Sequence, residues 1–181
     1  MKHFALLLLV IPLIAHTQSM TLEKKFVCMP CGYSCDSIEY DAAGSCPSCT
    51  MSFVEKSTVH FDNINFAEMC DRVKKNKNIL LLDVRTAGEF TGENKEINSF
   101  GHLKSAININ VSDLESRLSE LEPYKNKEII VYCSHSHRSP RATYVMTNSG
   151  FQDVSNVVGG VSILTEQFGD NACLSELFVK H

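Results

Sequence analysis

Short apolar runs from residue 78 onward predict buried β-strands. Two runs are nearly continuous, NILLLDV at residues 78–84 and EIIVYC at 128–133, and two are shorter, SAINI at 105–109 and DVSNVVGG at 153–160. Apolar residues at consecutive rather than alternate positions are typical of a strand that is covered on both faces. Such strands belong to parallel sheets.

Segments with a helical spacing of apolar residues separate these runs. Four helices are predicted, at residues 63–77, 112–124, 139–150 and 162–168. The first two carry pairs spaced like capping boxes, Asn65 with Glu68 and Ser112 with Glu115. The third is expected to have Ser139 as its cap, with Pro140 at its first position and Gly150 just beyond its end. Because strands and helices alternate, we predict an α/β fold, a parallel sheet with helices on both faces, over residues 60–170.

Residues 26–56 form a separate small module with almost no aliphatic runs, so it needs a metal ion or cross-links to hold its shape. It holds five of the eight cysteines. Two Cys-x-x-Cys pairs predict a ribbon that binds zinc or another soft metal ion, with the ligands Cys28, Cys31, Cys46 and Cys49. Cys35 is an extra thiol and Met51 an extra soft donor. The alternative is a pair of disulfides with one free thiol.

The first nineteen residues have the pattern of a secretory signal peptide. Lys2 precedes an apolar run over residues 4–15, and small polar residues follow it. The run is shorter than the roughly 20 residues that span a bilayer, which disfavours the alternative of an uncleaved anchor. We therefore expect a periplasmic or secreted protein with no stable membrane association after cleavage, in a compartment where disulfides persist.

The charge pattern argues against a nucleic-acid partner. The net charge is −4, and no block of lysine and arginine is present beyond a short run at residues 74–77.

The richest chemistry lies where the third strand ends, at Cys133. By itself this residue has three interpretations: a buried core cysteine, a corner of a metal site with His135 and His137, or a nucleophile. The carboxyl ends of parallel strands are where ligands bind, and a short loop here leads directly into a helix. Amide groups and the helix dipole would stabilise a thiolate or an oxyanion there, and would lower the thiol pKa. The expected substrate-binding loop comprises Ser134, His135, Ser136, His137 and Ser139, with Cys133 and Arg138 as the catalytic residues.

Four ordered motifs make residues 60–170 resemble a single-domain rhodanese. They are LLLDVRTAGEF, GHLKSAINI, VYCSHSHRS and NVVGGV. The resemblance implies a sulfurtransferase that carries sulfane sulfur as a persulfide on Cys133, taking it from a small anion and passing it to a thiol acceptor, with no organic cofactor. It also implies that Asp83 and Arg85 brace the site from the neighbouring strand, although a surface ion pair or a strand cap is an equal alternative.

The chain departs from the patterns it resembles at a few positions. Ser136 stands where the rhodanese loop usually has glycine, and no tryptophan follows the Gly-Gly turn. The loop has four residues between Cys133 and Arg138, whereas dual-specificity phosphatases, a related fold, have five. The cysteine segment resembles the heavy-metal-binding ribbon of metal-efflux proteins, with Thr50 in place of a glycine. A non-catalytic metal-handling or sensing protein is therefore the alternative function.

Two cysteines, Cys70 and Cys173, lie outside both motifs. In an oxidising compartment they are expected either to pair with each other or to remain inert core thiols.

Overall fold

In this computed structural model, the structure describes residues 23–94, 96–167 and 172–181, so the predicted signal peptide lies outside the described residues. The main sheet has five parallel strands in the order β4-β9-β8-β5-β7. These strands are β4 (Asp62–Ile64), β5 (Leu80–Asp83), β7 (Ile107–Asn108), β8 (Glu128–Tyr132) and β9 (Asp153–Val157). The predicted fold class is confirmed.

The two central strands, β5 and β8, are buried on both faces, which explains their continuous apolar runs. Leu81 and Ile130 point into one core cluster, whereas Leu82 and Val131 point into the other. Cys133 belongs to the same cluster as Val131, as the two-residue period of a strand requires. The sheet therefore directs the Cys133 side chain toward one defined face.

The described residues contain six α-helices. Their bounds are α1 (Phe66–Lys75), α2 (Ala87–Thr91), α3 (Leu114–Arg117), α4 (Arg138–Asn148), α5 (Gly160–Gln167) and α6 (Ala172–Leu177). The capping box that begins α1 is confirmed, since Asn65 and Glu68 exchange both of its hydrogen bonds. A short antiparallel pair, β6 (His102–Leu103) with β10 (Phe178–Val179), joins the last described residues to the domain.

The helix predicted at residues 112–124 is wrong in its details. Only the four residues of α3 are α-helical, and a 3₁₀ helix, Leu118–Tyr124, follows. Ser112 is not its cap, because the N-cap position is occupied by Asp113, and no side chain makes a capping hydrogen bond there. Pro123 lies in the 3₁₀ stretch and has no amide proton to continue an α-helical ladder.

The edge strand β4 is a strand that the sequence pattern does not predict. It has three residues, and only Ile64 is buried. Its pairing with β9 alone places it at the edge of the sheet.

The N-terminal ribbon is a three-stranded antiparallel sheet with the order β2-β1-β3. Its strands are β1 (Phe26–Cys28), β2 (Glu39–Tyr40) and β3 (Phe53–Glu55). The buried residues of its core cluster are all cysteines, and Met51 and Phe53 pack against them. Val27 and Met29 are the other buried apolar residues of the ribbon, so its aliphatic core is very small.

A disulfide joins Cys70 on α1 to Cys173 on α6, the first of the two alternatives expected for these residues. It closes a loop over a sequence separation of 103 residues. Within the described ranges, no helix is long and apolar enough to cross a membrane.

Removing this disulfide is expected to lower the free energy of unfolding by about 2–5 kcal/mol, because the cross-link restricts the unfolded chain over a long loop. The variant to measure is Cys70→Ala with Cys173→Ala, in guanidinium unfolding without reductant. Wild type should lose stability when reductant is added, whereas the variant should lose less. Equal unfolding midpoints for the variant and the oxidised wild type would contradict this expectation.

Candidate active site and cysteine cluster

Cys133 follows the last residue of β8 at the carboxyl end of the sheet, and its side chain is buried. Its carbonyl oxygen accepts a hydrogen bond from the Val161 amide at 2.9 Å. Gly160 makes this close approach possible, because a Cβ atom there would lie 2.3 Å from the same oxygen. The Gly-Gly turn therefore packs directly against the backbone of Cys133.

Ser139 contacts the Cys133 thiol. Its hydroxyl group donates to Cys133 Sγ at 3.3 Å, and α4 already begins at Arg138. The prediction that Ser139 caps this helix is therefore wrong, since the residue lies within the first turn. A hydroxyl donor at this distance stabilises negative charge on the sulfur.

The four loop residues divide into two buried and two exposed side chains. Ser134 and Ser136 are buried, whereas His135 and His137 face solvent. His135 packs edge-on against Phe100. Among the described residues, neither histidine belongs to a group of three or more metal-ligating side chains.

Arg138 forms a bidentate ion pair with Glu89. Both guanidinium–carboxylate distances are 2.7 Å, and Ser134 donates to the same carboxylate at 3.1 Å. Burial raises the pKa of Glu89, but the hydrogen bonds from Arg138 and Thr86 outweigh it and lower the pKa to about 2. The hydrogen bond to Glu89 in turn raises the pKa of Arg138. The arginine is thus fixed in place at the edge of the loop.

Glu89 is a site residue that the sequence analysis does not single out. It lies on α2, where it also forms a capping box with Thr86. The signal for it was present in the DVRTAGEF motif, which contains this glutamate, but a pairing with an arginine 49 residues away is not visible in sequence spacing.

Asp83 and Arg85 form a fully buried ion pair, with 2.6 Å between Arg85 Nη2 and Asp83 Oδ2. The alternative of a surface pair is excluded, because both side chains are 0% exposed. Arg85 also donates to the carbonyl oxygens of Ser99 and Gly101. The pair therefore braces the segment before β6, next to Tyr132 on the neighbouring strand.

A groove of about 490 Å³ lies between the ribbon and α4 and reaches the Cys133 loop. Its lining combines apolar and thioether side chains with cationic or polar ones, notably Met29, Met51, His137, Arg138, Arg141 and Tyr144. Arg141 is exposed, and it forms no ion pair with any of the described side chains. This groove offers positive charge beside a surface that can contact an organic group.

In the ribbon, four thiols lie together. The sulfur atoms of Cys28, Cys35, Cys46 and Cys49 are all within 4.8 Å of one another. Backbone amides of Cys49 and Ser48 lower the pKa of Cys46 to about 6, whereas burial raises that of Cys35 to about 11. A set of four clustered thiols, one of them already stabilised as a thiolate, suits a soft metal ion.

The structure does not place all four of the predicted ligands together. Cys31 lies outside the four-thiol group, and Cys35 takes its position. The Cys31 thiol instead contacts the Asp36 carboxylate at 3.5 Å, and burial holds its pKa well above the ordinary value. Asp36 also accepts from the amides of Cys31 and Gly32, which closes a turn before Cys35.

The chain belongs to the Rhodanese-like domain family, whose model matches residues 66–166, more than half of the 181 residues. A crystal structure of reduced CoADR-RHD from Bacillus anthracis shares the fold, with a TM-score of 0.51 and 27% identity. It covers 66% of this chain and 18% of its own. The class that the sheet and loop define is therefore that of the rhodanese-like proteins.

Two curated relatives show how much of a longer protein this match represents. A tRNA uridine(34) hydroxylase of Buchnera aphidicola is 32% identical over 99 residues, 52% of this chain and 29% of the relative. The Bacillus subtilis protein YqhL is 35% identical over 80 residues, 44% of this chain and 56% of the relative. Less than two thirds of either relative is matched, so what is shared is the rhodanese-like part.

Proposed function

We propose that this protein is a sulfurtransferase that carries sulfane sulfur as a persulfide on Cys133. The observation that carries the proposal is the Cys133 thiol at the carboxyl end of β8, with the Ser139 hydroxyl 3.3 Å away. Family membership supports it, because Cys133 and Arg138 lie within the matched residues.

The reaction follows in two displacement steps. The Cys133 thiolate attacks the outer sulfur of a donor, the donor's sulfur–sulfur bond breaks, and the leaving group departs with the electron pair. An acceptor thiolate then attacks the outer sulfur of the persulfide, which returns Cys133 as a thiolate. Ser139 donates a hydrogen bond to the sulfur that carries the charge. No organic cofactor takes part.

The proposed donor is a small anion and the proposed acceptor a thiol. Arg138 is paired with Glu89, so Arg141 is the cation near the loop that remains available to an anionic donor, and the His137 side chain lines the same groove. The groove between the ribbon and α4 gives an organic donor or acceptor room beside these groups. A tRNA substrate is not proposed, because the chain has a net charge of −4 and matches only 29% of the tRNA-modifying relative.

The proposal includes a metal-binding ribbon and export. The four clustered ribbon thiols support zinc or another soft ion, which would supply structure rather than take part in the reaction. Export to the periplasm or outside the cell rests on the first nineteen residues and agrees with the Cys70–Cys173 disulfide.

A non-catalytic metal-handling protein is the second candidate, which the thiol cluster and the nearly complete burial of Cys133 favour. Intact mass spectrometry separates the two candidates. After incubation with thiosulfate or with an organic persulfide, the sulfurtransferase should gain one sulfur atom, which a thiol acceptor then removes. A chain that gains no sulfur from either donor, although it is folded and its thiols are reduced, is the metal-handling protein.

A further inference from the structure

The ribbon makes a direct hydrogen bond to the Cys133 loop. Ser136 Oγ donates to the carbonyl oxygen of Cys31 at 2.9 Å, and Asn156 on β9 donates to the same hydroxyl at 3.0 Å. Ser136 is fully buried and has a left-handed φ of 56°. For a non-glycine residue this conformation carries an energetic cost. Its hydroxyl contacts offset that cost.

A second contact fixes the ribbon against the sheet at the same place. Gly32 follows Cys31 and packs on Val158, just beyond β9, so closely that a Cβ atom would lie 2.4 Å from Val158 Cγ2. With a φ of 91°, this position suits glycine. The turn at residues 31–32 therefore touches the loop on one side and the end of β9 on the other.

The position of this turn depends on the thiol cluster. Cys31 lies in the chain between Cys28 and Cys35, two members of the four-thiol group. Because cysteines make up the buried cluster of the ribbon and only Val27 and Met29 are buried beside them, an ion bound among the thiols would be its main source of rigidity. Such an ion would bind Cys28 before Cys31 and Cys35 after it, and would thereby fix the position of the Cys31 carbonyl group.

The sulfur spacing agrees with one tetrahedral ion. A zinc–sulfur bond of about 2.3 Å places sulfur atoms about 3.8 Å apart in a tetrahedron. Cys28 Sγ lies 3.1 Å from Cys49 Sγ and 4.0 Å from Cys35 Sγ, on either side of that value. Cys31 lies outside this set and belongs to a second, smaller group with Cys35 and Asp36, whose carboxylate its thiol contacts at 3.5 Å.

We propose that the ribbon binds one metal ion through Cys28, Cys35, Cys46 and Cys49, and that this ion holds the Cys133 loop in shape through the Cys31–Ser136 hydrogen bond. Cys31 contributes its carbonyl oxygen rather than its sulfur. Ser136 is a positioning residue that transmits the order of the ribbon to the loop. The importance of the loop rests on the proposed sulfur transfer, whereas the metal set and the coupling do not.

The ligand set is tested with two matched variants of the full chain, Cys35→Ser and Cys31→Ser. Each is loaded with Zn²⁺ and titrated with a chelator. Loss of an orienting group around a metal weakens binding by about 10–100-fold. Loss of a ligand in Cys35→Ser should therefore weaken it by more than about 100-fold, and Cys31→Ser should bind like wild type. The reverse order, or a Cys28–Cys49 disulfide in place of bound zinc, would overturn the assignment.

The coupling is tested by hydrogen exchange at the amides of residues 134–138. Removing Zn²⁺ from wild type should speed their exchange by about tenfold or more, while the amides of β5 and β8 stay protected. In Ser136→Ala the loop amides should exchange quickly even with Zn²⁺ bound. Removing Zn²⁺ from this variant should increase their exchange rate only a little further. Ser136→Gly restores the usual loop residue without the hydroxyl and should behave like Ser136→Ala.

Metal-independent exchange of the loop in wild type would overturn the coupling, even if zinc binds as proposed. Both readouts are independent of sulfur transfer, so they succeed or fail separately from the proposed activity. If the exchange results hold and no sulfur is transferred, the coupling stands and the proposed function is wrong.

Discussion

Replacing Cys133 with serine is expected to abolish sulfur uptake while the fold is retained. The hydroxyl fits the same buried space and can share a hydrogen bond with Ser139, but it cannot carry a persulfide. Single-turnover uptake is measured by intact mass after incubation with a donor, and folding is checked by thermal unfolding. Ser139→Ala is the matched variant, because it keeps the thiol and removes only the hydroxyl group, and it should reduce the rate without abolishing it. Retained turnover in Cys133→Ser would contradict the proposed sulfurtransferase activity.

Replacing Arg138 with alanine is expected to impair both stability and activity. It leaves the Glu89 carboxylate, 3% exposed, without its cation. Because Arg138 itself is 34% exposed and partly screened by solvent, the expected cost is at or below the low end of the about 3–5 kcal/mol of a fully buried pair. Donor use should fall by about ten- to a hundredfold if Arg138 also contacts the donor, the value of a charge-assisted hydrogen bond. Guanidinium unfolding and single-turnover uptake measure the two effects.

A double variant separates these two roles of Arg138. Adding Glu89→Gln to Arg138→Ala removes the unpaired buried charge, so much of the stability should return while donor use stays low. If uptake returns together with stability, Arg138 acts only by holding Glu89.

The stability effect of this pair should depend on pH. The pKa of Glu89 is about 2 in the folded protein, below the value of about 4.3 for an unfolded glutamate. A lowered folded-state pKa stabilises the protein fully above the unfolded value, and the stabilisation is lost as the pH falls toward 2. The unfolded state is common to wild type and Arg138→Ala, so their difference in stability depends on the Glu89 pKa in the two folded states. Burial without Arg138 is expected to raise that pKa in the variant, so the difference should shrink as the pH falls through the variant's pKa and should be small near pH 2. A difference that stays constant down to pH 3 would contradict the assigned pairing.

The buried strands could be predicted from sequence because burial on both faces leaves an uninterrupted apolar run, as at Leu80–Asp83. The edge strand Asp62–Ile64 could not, because it is paired on one side and only one of its residues is buried. The start of each helix depends on which side chain accepts a hydrogen bond from the free backbone amides there. Asn65 caps α1 as its spacing predicts, whereas the Ser139 hydroxyl donates a hydrogen bond to the Cys133 sulfur instead.

Contacts between distant segments limited the prediction of the site. The position of Cys133 follows from local order, strand and then loop and then helix. The Glu89 partner of Arg138 comes from another element. The grouping of Cys35, rather than Cys31, with the other three ribbon thiols accompanies a turn in which Asp36 accepts from the Cys31 amide. Contacts of this kind cannot be read from the spacing of residues along the sequence.

Two departures from the resembled patterns proved informative. Ser136 and Thr50 stand where glycine is usual, and their φ angles are 56° and 63°, both in the left-handed region. The backbone thus keeps a glycine-like conformation after the residue has changed. At Ser136 the new side chain gains a partner in the ribbon, which a glycine could not provide.

During oxidative refolding, the Cys70–Cys173 disulfide competes with pairings of the other cysteines. Cys70 and Cys173 are separated by 103 residues, whereas the ribbon cysteines are close neighbours that collide sooner in an unfolded chain. Oxidation before the domain has formed therefore favours short-range mispairing, and the native bond must then arise by exchange. Metal ions added before the oxidant would keep the ribbon thiols out of this competition. The yield of correctly paired protein should consequently depend on the order in which metal and oxidant are supplied, even when the final solution is the same.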